Sequence, residues 1–142
     1  MMPNKKTIGI TGAGGSLGKA LTKKFRSHGY KIIGFTHNRK PQELVEEGPN
    51  EWVYWECGKE FLLENSLSKI DILILNHGIY DYKQDLEKSI EINATSKIKI
   101  LKLFEKISLS QSIESSPKEI WINTSEAEIL PALNPCYEIS KS

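Results

Sequence analysis

Tyr137 and Lys141 stand four residues apart, a spacing that places both side chains on one face of a helix. An ammonium beside a phenol favours the phenolate, and it draws a group that ordinarily titrates near a pKa of about 10 toward neutral pH, where it can exchange a proton. Far upstream, Thr11-Gly12-Ala13-Gly14-Gly15-Ser16-Leu17-Gly18 follows a short β-branched run, Lys6 to Ile10. Glycines between a strand and a helix let the backbone turn tightly and approach a pyrophosphate whose charge rests on the helix N-terminus. A glycine-rich turn with a serine cap is also a common structural device. Ser125, after an apolar strand, and Asn93, within a long helical pattern, complete the set of polar candidates. Taken singly, each has an ordinary explanation as a turn residue, a bend or a surface pair.

The elements that must position these residues alternate along the chain. After the glycine turn, Leu17, Ala20, Leu21 and Phe25 recur at helical spacing, with Lys19, Lys23 and Lys24 on the wetter face and Gly29 as a C-terminal stop. Lys31 to Thr36 reads as a second strand. A weak helix is expected from Pro41 through Glu47, then a third strand from Trp52 to Glu56 and a short helix over residues 59 to 67. The nearly continuous apolar run from Ile70 to Leu75 fits a parallel strand covered on both faces and marks the sheet centre. A helix is expected from Leu86 to about Ile107, with Ile90, Ala94, Ile98, Leu101 and Phe104 or Glu105 as its apolar stripe and a bend near Asn93. Ser108 to Pro117 reads as a linker, Glu119 to Asn123 as a fifth strand, and Pro135 as the start of a helix holding Tyr137 and Lys141. This alternation predicts an α/β, doubly wound parallel sheet with right-handed crossovers, in one domain spanning residues 1 to 142.

Set in order, these motifs resemble the short-chain dehydrogenase/reductase family. The glycine loop is similar to its TGxxxGxG signature, with Ser16 where the middle glycine usually stands. Asn76-His77-Gly78 resembles its NAG motif, with His77 in place of alanine, and Tyr137-Glu138-Ile139-Ser140-Lys141 matches YxxxK. The resemblance implies a Rossmann-like sheet of about five strands in the order 3-2-1-4-5, without the family's last strands. It also implies roles. Tyr137 exchanges a proton with the substrate oxygen, Lys141 also bonds the nicotinamide ribose, Ser125 polarises the carbonyl and Asn93 holds a water of the proton relay. Gly12, Gly14, Gly15, Ser16, Leu17, Gly18, Asn76, His77 and Gly78 would hold the cofactor, together with Tyr137 and Lys141.

Cofactor choice is read at the end of the second strand, where an acidic residue would bind a ribose 2′-hydroxyl. The segment here is Thr36-His37-Asn38-Arg39-Lys40. It offers no carboxylate, while Arg39 can hold a 2′-phosphate through charge-assisted hydrogen bonds, with Thr36, Asn38 or Lys40 nearby. NADP(H) is expected over NAD(H). Glu56-Cys57-Gly58 stands where the family often has an aspartate that meets the adenine.

A net charge of +1, from 19 basic and 18 acidic residues, gives no field for holding nucleic acid. No apolar run approaches bilayer length and no signal h-region opens the chain, so a cytoplasmic protein without a membrane partner is expected. Two cysteines without CxxC spacing and three scattered histidines suggest neither a disulfide framework nor a metal. The expected activity is oxidoreduction of a small carbonyl or alcohol substrate, in a possible homo-oligomer by resemblance. The alternative is a non-catalytic NADP-binding domain or an inactive remnant, because the chain stops just after the YxxxK motif and the family's substrate-shaping region would follow it.

Overall fold

The computed structural model describes residues 5–38, 44–79, 83, 85–111, 117–123 and 140. Five parallel strands, β1 (Thr7–Thr11), β2 (Lys31–Thr36), β3 (Glu51–Tyr54), β4 (Ile72–Leu75) and β5 (Glu119–Ile122), form one sheet in the order β3-β2-β1-β4-β5. The expected order is therefore found. Register is fixed by pairs such as Thr11 with Phe35 and Ile10 with Ile74. Because every pair is parallel, all five carboxyl ends lie along one edge of the sheet.

The strands' side chains alternate between two cores, as a pleated sheet requires. Ile8, Ile10, Ile32, Ile72 and Ile74 face helix α1 (Ser16–Ser27) and meet its Leu21 and Phe25. Ile33, Phe35, Leu73 and Leu75 face the other way, onto α2 (Glu64–Leu67), with the 3-10 turn Glu60–Leu63 before it, and onto α4 (Ser96–Ser110). Helix α1 ends as the sequence predicts. Gly29 takes a φ of +83°, its N–H bonds Arg26, the Tyr30 N–H bonds Phe25, and the two aromatic rings meet edge to face at 5.8 Å.

The long helix is α3 (Leu86–Ile90), a π-helical turn (Glu91–Thr95) and α4, so the bend expected near Asn93 is a π-turn with Asn93 inside it. Its buried face follows the expected stripe at Leu101 and Phe104 and departs from it elsewhere. Ser89, Asn93, Ser96, Lys97, Ile100, Phe104 and Ile107 point inward, whereas Ile90 and Ile98 are exposed. The inward positions nearest the sheet's carboxyl edge are polar, so apolarity alone selects a neighbouring line of residues. Two boundaries also move. Helix α4 runs to Ser110, into the expected linker, and residues 44 to 47 are not helical. There a single turn closes from the Gly48 N–H to Val45, held by Arg26 Nη1 donating to the Gly48 carbonyl at 2.6 Å, and Pro49 follows. The remainder of that expected helix lies outside the described residues, as does the helix expected from Pro135, Ser140 excepted.

Candidate functional site

The carboxyl edge is tied together around one hydroxyl. Thr11, the last residue of β1, is fully buried, and its Oγ1 accepts the backbone N–H groups of Asn76 (2.9 Å) and His77 (3.1 Å). Both oxygen lone pairs are then filled, so the hydroxyl hydrogen chooses between the Ile74 carbonyl at 3.3 Å and His77 Nδ1 at 2.8 Å. The shorter contact makes Nδ1 the acceptor, and by that assignment Nε2 carries the hydrogen to Ser96 Oγ at 3.2 Å. The Ser96 hydroxyl also bonds the Cys57 thiol, which burial pushes above its ordinary value while that hydrogen bond pulls it down. Cys57 Sγ lies 3.7 Å from His37 Nε2, and His37 Nδ1 meets the Trp55 carbonyl at 2.9 Å. Burial lowers the His37 pKa, with the Trp55 carbonyl and Glu60 opposing. The Trp55 ring meets both imidazoles, 3.8 Å from His37 and 5.3 Å from His77, and the two imidazoles meet each other at 6.0 Å, so the three rings form a triangle. Sequence reading treated these histidines as scattered. The signal it lacked is that His37 follows β2 and His77 follows β4, so both lie at the same sheet edge.

Asn76 spans the gap to β5. Its Oδ1 accepts from Asn123 Nδ2 at 3.0 Å, and its Nδ2 reaches the Gly12 carbonyl at 3.5 Å. The glycine loop sits against this brace. Gly12 has a φ of +65°, and a Cβ there would fall 2.9 Å from the His77 Cα. A Cβ on Gly18 would fall 2.2 Å from the Gly12 carbonyl oxygen. Position 16, where the resemblance expects a glycine, instead opens α1 and lines the cleft. Gly14 and Gly15 meet no such crowding from the protein itself. Gly15 caps α1 without a side-chain hydrogen bond and no acid occupies the first turn, so the leading N–H groups are open to an anion.

These parts enclose a cleft of about 390 Å³, lined by Gly12, Gly15, Ser16 and Leu17 on one side, by His37 and Asn76 through Ile79 on the other, and by Ile92 and Asn123. Asn93, 3% exposed, stands behind Ile79. Its Oδ1 accepts the Ile79 N–H at 2.7 Å, and its Nδ2 donates to the Ile79 carbonyl and to Ser140 Oγ, both at 2.9 Å. Both amide hydrogens are thus engaged in bracing the wall. Ser140 is the one described residue of the YxxxK segment, and it is this residue that Asn93 bonds. Ser125, Tyr137 and Lys141 themselves, with Arg39, lie outside the described residues. Thr36 Oγ1 accepts the Asn38 N–H at 3.0 Å and lies 4.0 Å from where a Gly14 Cβ would be. Glu56 is committed elsewhere, accepting from Tyr54 and pairing with Lys59 at 3.2 Å. Among the described residues no group of three or more histidines, cysteines or acids is placed to hold a metal, and no helix is long and apolar enough to cross a membrane.

This geometry fits a nicotinamide dinucleotide, and comparison with known proteins agrees. Residues 8–137 match the NAD dependent epimerase/dehydratase family. The monoglucosyldiacylglycerol epimerase of Synechocystis sp. is 34% identical over 96% of this chain and 35% of the relative's length. A 1,2-dihydroxy-1,2-dihydronaphthalene dehydrogenase of Pseudomonas putida is 27% identical over 61% of this chain and 38% of its own. The chain thus spans little more than a third of these curated relatives. Among solved structures, an NAD-bound xylitol dehydrogenase superposes with a TM-score of 0.80 at 21% identity, covering 99% of this chain and 61% of that one. The serine dehydrogenase of Escherichia coli gives 0.77 at 21% identity, with 95% and 69% covered. The chain belongs to the NAD dependent epimerase/dehydratase family, on the fold shared by short-chain dehydrogenases and reductases.

Proposed function

We propose that this chain supplies the cofactor site and proton-transfer residues of an NADP(H)-dependent oxidoreductase acting on a carbonyl or alcohol substrate. The observation that carries the reading is the single cleft formed by the glycine loop, the Asn76-His77-Gly78 turn and Ile79, with Asn93 joining its wall to Ser140. When bound, the nicotinamide supplies or accepts the hydride. Gly12 and Gly14 through Gly18 would hold the pyrophosphate on the first turn of α1, and Asn76, His77 and Gly78 the adjoining ribose. Tyr137 would pass a proton to or from the substrate oxygen, its phenolate favoured by Lys141. Ser125 would polarise the same oxygen. Asn93, its side chain engaged by Ile79 and Ser140, would serve the relay by fixing the segment that carries Lys141.

The NADP preference rests on the end of β2, where Thr36, His37 and Asn38 supply no carboxylate and Arg39 follows as a partner for a 2′-phosphate. The Synechocystis relative suggests a carbinol on a membrane-held glycosyl lipid as the substrate class. Inverting such a centre through a ketone would use the Tyr137 proton transfer twice, once in each direction. A homo-oligomer is supported by the outward apolar residues of the long helix, Leu86, Ile90 and Ile98. A second reading is dinucleotide binding without turnover, for which the cleft at the open N-terminus of α1 would suffice by itself. NADPH titration followed by turnover on ketones and aldehydes separates the two. Turnover abolished by Tyr137→Phe supports the enzyme; binding without turnover, indifferent to that change, supports the binding module.

A further inference from the structure

Away from the cleft, Lys99, Lys102 and Lys106 lie at i, i+3 and i+7 on α4, which places them on one helix face. With Gly58, Glu60, Phe61 and Leu103 they line a second cleft of about 390 Å³. None of the three lysines has an ion-pair partner among the described residues. The acid within that cleft is already engaged, since both Glu60 oxygens accept the Gly58 N–H at 3.0 Å and the residue is 3% exposed. Glu91 lies at the Gly58 end, and Glu64 lies beyond Phe61 in a separate groove. Phe61, which lines the lysine cleft, leaves 65% of its surface in solvent, as does its neighbour Leu62, which lines the adjoining groove. In a chain of net charge +1 this is a local excess of positive charge next to protruding apolar side chains.

We infer that this face docks the protein on an anionic lipid bilayer, the lysines meeting headgroups while Phe61 and Leu62 enter the interfacial layer. The two features act together. Charge draws the face to an anionic surface over a Debye length, and apolar side chains add the contact that water disfavours. A soluble polyanion would satisfy the lysines and leave Phe61 and Leu62 exposed, which is why a bilayer is the better match. The inference revises the sequence expectation of no membrane partner, which rested on the lack of a spanning run and of a signal h-region and did not weigh surface docking. It agrees with a lipid-held substrate but stands on residues outside the cofactor cleft.

The test is cosedimentation of the purified chain with phosphatidylcholine vesicles, with and without phosphatidylglycerol. Binding is expected only with the anionic lipid and should fall as salt is raised. Each lysine near an anionic surface contributes about fivefold to partitioning, so Lys99→Gln, Lys102→Gln and Lys106→Gln together should weaken binding on the order of a hundredfold. Phe61→Ser should weaken it while leaving the salt dependence in place. If the triple variant does not fold by circular dichroism, Lys102→Gln alone must still show its roughly fivefold loss. The inference is overturned if the wild-type chain ignores anionic vesicles, if folded lysine variants bind as well as wild type, or if glycerol phosphate in solution binds while vesicles do not. NADPH titration of the same samples reports on the cofactor reading separately and should not change in any of these variants.

Discussion

Two glycines of the loop should fail in different ways when replaced by alanine. A Cβ on Gly18 would stand 2.2 Å from the Gly12 carbonyl oxygen and 2.7 Å from the Ala13 Cα. These are backbone atoms that no rotamer change can move, so α1 must shift away from the glycine loop. Overpacking of this kind costs about 1–3 kcal/mol. At a few degrees per kcal/mol for a chain this size, melting should fall by roughly 3–10 °C. A Cβ on Gly15 would stand 3.5 Å from the same oxygen, an ordinary contact. Alanine is a poorer N-cap by about 1 kcal/mol, yet it lowers the unfolded chain's entropy by about 0.4–1 kcal/mol. Gly15→Ala should therefore melt within a few degrees of wild type. Its methyl would nevertheless project where the cleft approaches the first turn of α1. If a pyrophosphate rests there, displacing one charge-assisted bond worth about 1.5–3 kcal/mol weakens NADPH roughly 10- to 150-fold. Thermal melts and NADPH fluorescence titrations on both variants decide the matter. A Gly15→Ala chain that binds NADPH as wild type does would refute the phosphate-binding loop. A Gly18→Ala chain with an unchanged melting temperature would refute the close approach of α1 to the Gly12 and Ala13 backbone.

Arg39→Ala should weaken NADPH by about tenfold or more through loss of a charge-assisted contact while leaving NADH nearly unchanged; equal losses in paired titrations would remove the 2′-phosphate assignment. His77→Ala breaks the side-chain bonds to Thr11 and Ser96 in a site 2% exposed, and should cost about 2–4 kcal/mol, read as a lower urea midpoint with unchanged slope. An unaltered midpoint would show that the imidazole bears no structural load. The His37 pKa is depressed by desolvation, so below about pH 6.5 the unfolded chain binds more protons than the folded one. Stability is then complete above that pH and declines as pH falls through the folded value, shallowly, because His37 keeps much of its surface in solvent. Urea midpoints between about pH 7.5 and 5.5 should show this slope in wild type and a flatter one in His37→Asn; identical slopes would remove the assignment.

The strands were legible because a buried parallel strand must be apolar on both faces, as Ile72 to Leu75 is, and because glycine turns mark where strand becomes helix, while their order was legible through the family resemblance. The loop was legible as well, although its steric demands fall on Gly12 and Gly18 and leave position 16 free. Contacts between residues distant in sequence were not legible. Nothing in the chain announces that Thr11 would accept from Asn76 and His77, or that Trp55 would meet two imidazoles that also meet each other. Those contacts follow from four strands, β1 to β4, ending at one edge, which register fixes and composition does not.

The long helix shows why a pattern can mislead where function intervenes. Its inward face changes character along its length, from Ser89, Asn93, Ser96 and Lys97 near the cleft to Ile100, Phe104 and Ile107 deep in the core. A reading that follows apolar residues therefore leaves the true face just where the face has work other than packing. Asn93 secures Ile79 and Ser140, and Ser96 receives His77. The π-turn falls on the same stretch, and such insertions in helices recur at functional sites. The apolar residues displaced from the inward face then appear outside, as Ile90 and Ile98 do, where a second copy of the chain could cover them. The π-turn thus falls where the helix supports the cleft from behind, through Asn93 on Ile79 and Ser96 on His77, while its own contribution to the lining is Ile92, as expected when a site and its scaffold compete for the same positions.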